Sequence, residues 1–287
     1  MASPLSLSPS SVINTSSVWS NNRVKLHGDL KRYKVVRGIS SGGTATKPPR
    51  IATLPGHHFK PVELHLKSAT LEDLCLPRWS DAEHRDKRRI IRVERHQVGN
   101  EIVAQFSIIG SASENPKTIP SPLGIDVVEV SCLECLTRDD EDEHEEDEES
   151  SQYGYKTCSS VARKTYYITS VEVVKIVELL IGTGLQDSHE RRRERGRIRS
   201  NLVPFWSRKS ISTRLSNQDI RSSPTIDGNV DFRVELATRI MSYDIRKPRG
   251  FDKEVRILKW ERLVPALMRA LQSYYAEVPD DFGEDKE

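Results

Sequence analysis

The chain of 287 residues has no apolar run close to the roughly 18 residues that cross a bilayer, so a membrane-spanning helix is excluded and a soluble protein is expected. Cysteine is scarce: Cys75, Cys132, Cys135 and Cys158 stand at irregular spacing without a secretory leader, which predicts reduced thiols inside the cell rather than a disulfide framework. A phosphate-binding glycine loop, GxSxG and HExxH are all missing, and the eight histidines are scattered. No enzyme, cofactor or small-molecule substrate is therefore expected. Two carboxylates brought together by folding remain the one catalytic arrangement that sequence leaves open. Acid is almost missing from the first 60 residues, where Asp29 stands alone among Ser, Thr, Pro and Asn. Such a composition buries too little surface to order itself, so residues 1–69 read as a disordered tail. It is Ser-rich like a transit peptide, but no arginine precedes Arg23 and no basic amphipathic helix can be drawn.

Charge is plentiful but segregated, with 44 Lys and Arg against 42 Asp and Glu. Ten of the eleven residues from Asp139 to Glu149 are acidic, and like charges at that density keep a segment extended and hydrated. Residues 138–163 are accordingly expected to be a disordered acidic insert, a solubilising loop or a strap that folds over the basic residues. Residues 207–229 read as a linker loop and 279–287 as an acidic tail, leaving one domain of ordinary size over 70–278.

Within that domain the organising stretch is 165–205. Thr169 and Glu172 have capping-box spacing, and Val171, Val173, Val174, Ile176, Val177, Leu179, Leu180 and Ile181 leave only a narrow polar stripe of Glu172, Lys175 and Glu178. A buried helix should start at Thr169 and stop at Gly182. Ser80 and Glu83 repeat the capping box ahead of a short charged helix. Gly99-Asn100 marks the turn of a hairpin, because Ile102, Ala104, Phe106 and Ile108 alternate with polar residues. Strands are expected at 127–136 and 164–168, and helices near 230 and from Trp260 to Tyr274, where apolar residues recur at three and four. The predicted fold is α+β: a small antiparallel sheet from residues 90–168 packed against several helices that start near 169, 230 and 260.

Residues 191–199 hold six arginines in nine positions, namely Arg191, Arg192, Arg193, Arg195, Arg197 and Arg199. On a helix Arg191, Arg195 and Arg199 share a face at spacing four, with Ile198 and Leu202 packing inward. Guanidinium groups suit phosphate oxygens, and neutralised phosphates release counterions. A second basic group, Arg246, Lys247, Arg249, Lys253 and Arg256, is expected to extend the same surface. A nuclear-import address is the alternative use of such a run. Cys132 and Cys135 have zinc-ligand spacing but no second pair, and a strand would point them to opposite sides, so no metal site is assigned.

Three stretches in order, Thr169-Ser170-Val171-Glu172, Glu194 to Leu202, and Lys247-Pro248-Arg249 through Trp260, resemble the TSVD, EKNRIRRNL and KPRNIEKDVKVFPW segments of a domain in the fungal Medusa-type regulators of asexual development. Arg88-Arg89-Ile90 and Ser131-Cys132 fit earlier positions, giving coverage of about residues 70–278. Gly196 and Ser200 depart from the Asn and Arg of the usual basic segment. The resemblance implies a nuclear, non-enzymatic protein acting in transcriptional control of conidiation, with DNA, chromatin or other transcription factors as partners. An interaction scaffold without nucleic-acid contact is the alternative.

Overall fold

A computed structural model of the chain describes residues 33–41, 46–121, 125–137, 162–183, 187–211, 232–248 and 255–281. The acidic run 139–149, Cys158 and most of the 207–229 linker lie outside them.

The hairpin is the centre of the fold. Strand β6 (Arg88–Val98) and strand β7 (Glu101–Gly110) pair antiparallel, and Gly99 sits at φ +60 in the turn, where a side chain would be strained. Strand β8 (Asp126–Thr137) pairs with the other edge of β6, and β9 (Arg163–Thr169) with β8, both antiparallel. Two further strands were not expected from the sequence. Strand β5 (Glu63–Lys67) runs parallel to β7, and β10 (Ile257–Lys259) closes the far edge on β9. The result corrects the predicted fold class: in place of a small antiparallel sheet there is a large, curled, six-stranded mixed sheet in the order β10-β9-β8-β6-β7-β5, and the described chain is sheet-dominated. The physical reason is that β5 and β10 are short and carry no signal until their partners exist.

The tail reading is likewise corrected over the described part of 1–69. Strands β1 (Val35–Arg37), β2 (Ile39–Ser40), β3 (Thr46–Lys47) and β4 (His57–Pro61) lie there in addition to β5. Strands β1 and β4 flank β11 (Tyr274–Pro279) in a second, three-stranded sheet. Tyr274 is thus the start of a strand and not the end of a helix. The C-terminal helical segment is a 3-10 turn at Trp260–Arg262 followed by an α-helix over Leu263–Leu271, with Pro265 in the first turn, where its missing N–H costs nothing.

Helices cover both faces of the large sheet. In chain order they are α1 (Leu71–Leu74), α2 (Asp81–Asp86), α3 (Ser170–Ile181), α4 (Ser188–Asn201), α5 (Phe232–Ser242) and α6 (Leu263–Leu271). Alternation along β8 and β9 splits the core in two. Val130, Cys132, Tyr166 and Ile168 face α3, α4 and α6, whereas Leu133, Cys135 and Tyr167 face α5. Two buried arginines brace the start of β6. Arg89 bonds Glu83 at 2.5 Å and the Leu74 and Arg78 carbonyls at 2.9 and 2.8 Å, with its guanidinium over Trp79. Arg88 bonds Ser131 Oγ and lies over the Tyr243 ring. Among the described residues no helix is long and apolar enough to cross a membrane.

Strand β9 passes into α3 without a loop, because Thr169 is both the last strand residue and the N-cap. Glu172, itself buried, completes the capping box and also accepts the Ser131 backbone N–H of β8 at 2.9 Å. That N–H lies beyond the end of the β8–β9 pairing at Leu133 and Tyr167, so the carboxylate stands in for a strand carbonyl. Glu172→Ala would strand buried donors on both elements. It is expected to lower the unfolding free energy by about 2–4 kcal/mol in a urea titration, well beyond an exposed cap replacement.

Candidate anion-binding site along the arginine helix

Helix α4 is a poor helix by its own chemistry. It carries the six arginines, has Gly196 in its middle, and its N-cap Asp187 makes no side-chain capping bond. What seats it is its inner face, where Glu194, Ile198 and the following Leu202 are buried. It packs beside α3, and the polar stripe of α3 meets it: Arg195 Nε bonds Glu178 at 2.7 Å. Glu194 joins α4 to the second sheet. It accepts from Arg37 of β1 at 2.9 Å and from the Tyr274 hydroxyl of β11, and Arg197 reaches it at 3.2 Å.

Burial alone would raise the Glu194 carboxyl. The hydrogen bonds from Tyr274 and Arg37, the charge of Arg37 and the bond from Arg197 outweigh it and hold the group below its ordinary value of 4.5. The same burial, followed by the charge of Glu194, pushes the Tyr274 phenol up.

Between α3, α4, β1 and the ends of β6 and β8 lies a cleft of about 1030 Å³. Its apolar lining includes Val35, Val127, Val128, Leu179 and Ile181. From α4 it is lined by Arg191, Arg193, Arg195 and Arg197, and from elsewhere by Lys34, Arg37, Arg95 and Lys175. Asp126, Glu178, Glu190 and Glu194 are the opposing carboxylates, so the lining has a formal surplus of four positive charges. Arg95 has a second duty: its Nε donates to the Leu180 carbonyl at 2.8 Å, at the negative end of α3.

The arginines read as one face are therefore split. Arg191 and Arg195 are half-buried in the cleft wall, while Arg199 is exposed and does not line it. An α-helix advances about 40° past a full turn every four residues, so the two steps from Arg191 to Arg199 leave the seam. Arg192 and Arg199 form the outer ridge, with Gly196 and Ser200 beside them; Arg193 and Arg197 are exposed at the cleft rim. The second basic group does not extend this surface as a unit. Lys247 is exposed and donates to the Met241 carbonyl, Arg246 is drawn onto Glu129 at 2.9 Å, and Arg249 and Lys253 lie outside the described residues. Arg256 donates to the Ser207 carbonyl at 2.6 Å, beyond the 3-10 turn Val203–Phe205 that follows α4. Sequence reasoning missed Lys34, Arg37 and Tyr274, which join the cleft only through pairings across most of the chain. The available signal was the apolar pair Val35-Val36 between Lys34 and Arg37.

Cys132 and Cys135 do point to opposite faces of β8, with Cys132 Sγ 3.4 Å from Cys75 Sγ and Cys135 beside Arg239. Burial pushes the Cys135 thiol up to about 11, away from the thiolate that a metal needs. Among the described residues no group of three or more His, Cys, Asp or Glu is placed to hold a metal. Strand β8 ends at Thr137, eleven residues along from the cleft residue Asp126, at most about 37 Å away.

The sheet, the helix pair and the cleft define a mixed α/β domain with a basic helix laid across its core. A family described as a domain of unknown function, DUF7082, matches residues 61–271, and the chain belongs to it. No curated protein and no solved structure matches the chain.

Two outcomes follow from the seating of α4. Because the folded Glu194 titrates below its unfolded value, its contribution is complete above about pH 4.5 and is lost as pH falls through the depressed folded value. Unfolding free energy should therefore drop on acidification below that point, with a shallower drop in Glu194→Gln. Gly196 is helical with nothing within 4 Å of where a Cβ would stand, so Gly196→Ala should stabilise the chain by about 0.5–1 kcal/mol in thermal unfolding.

Proposed function

We propose that the protein is a non-enzymatic nuclear regulator of transcription, of the fungal developmental type that its three motif segments resemble. It contacts DNA or chromatin through the outer ridge and rim of α4. The observation that carries this reading is the split of the arginines: Arg192, Arg193, Arg197 and Arg199 remain exposed on a helix that is anchored from below. A seated helix loses less entropy on meeting a phosphate backbone than a free basic tail does. Four guanidinium groups on one surface neutralise phosphates without reading bases, so binding is expected to be sequence-independent and salt-sensitive.

Fluorescence anisotropy with a random-sequence duplex over a salt series tests this. The parent should bind at low salt, with a slope of log K against log salt of about −3 to −4, close to 0.9 per phosphate contacted. Arg192→Ala with Arg199→Ala should bring the slope about 2 closer to zero while leaving thermal stability unchanged. No binding by the parent at low salt would remove nucleic-acid contact and leave the scaffold reading, in which the same ridge meets acidic protein partners.

A further inference from the structure

We propose that Cys75 and Cys132 are an oxidative modification site: a peroxide converts this buried thiol pair to a reversible disulfide that staples the end of α1 to β8. The inference is independent of any role of α4. The two Sγ atoms are 3.4 Å apart and both side chains are fully buried, so no water fits between them. A disulfide bond is about 2.0 Å long, so the sulfurs need to approach by only about 1.4 Å.

A polar network fixes the backbone that carries the pair. Arg89 of β6 lies opposite Cys132 of β8, and its guanidinium bonds the carbonyl of Leu74, the residue before Cys75, at 2.9 Å. Trp79 Nε1 donates to the Cys75 carbonyl itself at 2.7 Å. With carbonyls on both sides of the Cys75 Cα held in this way, its thiol is kept turned toward Cys132.

Burial, with a further contribution from the hydrogen bond to Cys75, pushes the Cys132 thiol up, so the closed pair is a poor nucleophile. The reaction therefore begins at α1. That helix is a single turn of four residues, with Glu72 and Asp73 exposed within it and Leu76 exposed just beyond. An element of this kind opens locally without unfolding the sheet behind it. In the open form the Cys75 sulfur, its proton lost, attacks one oxygen of hydrogen peroxide. The O–O bond breaks, Cys75 becomes a sulfenic acid, and the departing hydroxide takes up the proton as water. Reclosure returns Cys75 to Cys132, whose sulfur displaces the hydroxyl: the S–O bond breaks, the S–S bond forms, and a second water leaves with the Cys132 proton. Two thiols are oxidised and one peroxide is reduced to two waters.

The test exposes the full chain, reduced and desalted, to hydrogen peroxide in native buffer and maps the thiols by alkylation and peptide mass. A linked pair of peptides containing Cys75 and Cys132, lighter by two hydrogens than their sum and separated again by dithiothreitol, is the expected product. The same link should form in Cys135→Ala with Cys158→Ala, which keeps the pair and removes the other two thiols. The bond closes a loop between positions 57 residues apart, so the thermal midpoint of the oxidised chain should rise by about 5–10 °C over the reduced one. Cys75→Ala should show no such rise after peroxide. The peptide maps of the parent and of the Cys135, Cys158 double variant decide the matter even if that substitution folds poorly. Free Cys75 and Cys132 thiols after peroxide, linkage of either to Cys158 or to a second chain, or a link that forms only in urea-unfolded protein would overturn the proposal. So would a thermal midpoint that falls on oxidation.

Discussion

The buried carboxylate of Glu172 is the constraint on which the rest of the molecule depends. It closes the capping box of α3, and its other oxygen takes the β8 N–H left without a strand partner where β9 turns into helix. A strand can pass directly into a buried helix only if the donors at the junction are satisfied there, because water does not reach them. One side chain does this for both elements. With the start of α3 pinned to β8, its apolar circumference is set against the sheet and α6, and its remaining polar residues, Lys175 and Glu178, are turned toward α4.

Helix α4 inherits its position from that arrangement more than from its own composition. Six arginines on fourteen residues repel one another, and a central glycine adds backbone entropy. Three carboxylates compensate on the buried side and in the cleft: Glu178 from α3, and Glu190 and Glu194 from α4 itself. Glu194 reaches furthest, since its partners Arg37 and Tyr274 belong to the second sheet. The charge of the helix is therefore partly compensated by carboxylates on its inner side and left exposed above, which gives one basic segment two different surfaces.

Local signals were legible where the physics is local. The Thr169–Glu172 and Ser80–Glu83 boxes, the Gly99-Asn100 turn, and the alternation of Ile102, Ala104 and Phe106 each depend on neighbours within a few residues, and each stands as read. The mixed sheet was not legible, because β5 is parallel to β7 and gains its identity only when Leu64 lies against Ile102. The small sheet pairs Val35 with Ala276, a separation over which no sequence pattern carries information. Composition placed residues 33–69 in the tail because their few apolar side chains have no core until the C-terminal strand arrives.

The same division holds for the site. Sequence by itself determined that a dense arginine segment follows a capped apolar helix, since charge density and helix periodicity are properties of consecutive residues. Only the tertiary structure decided which arginines face outward and which line a cleft. That choice is made by carboxylates and lysines on α3, β1 and α4 itself, and by the drift of an α-helix that carries Arg191 and Arg199 to different sides.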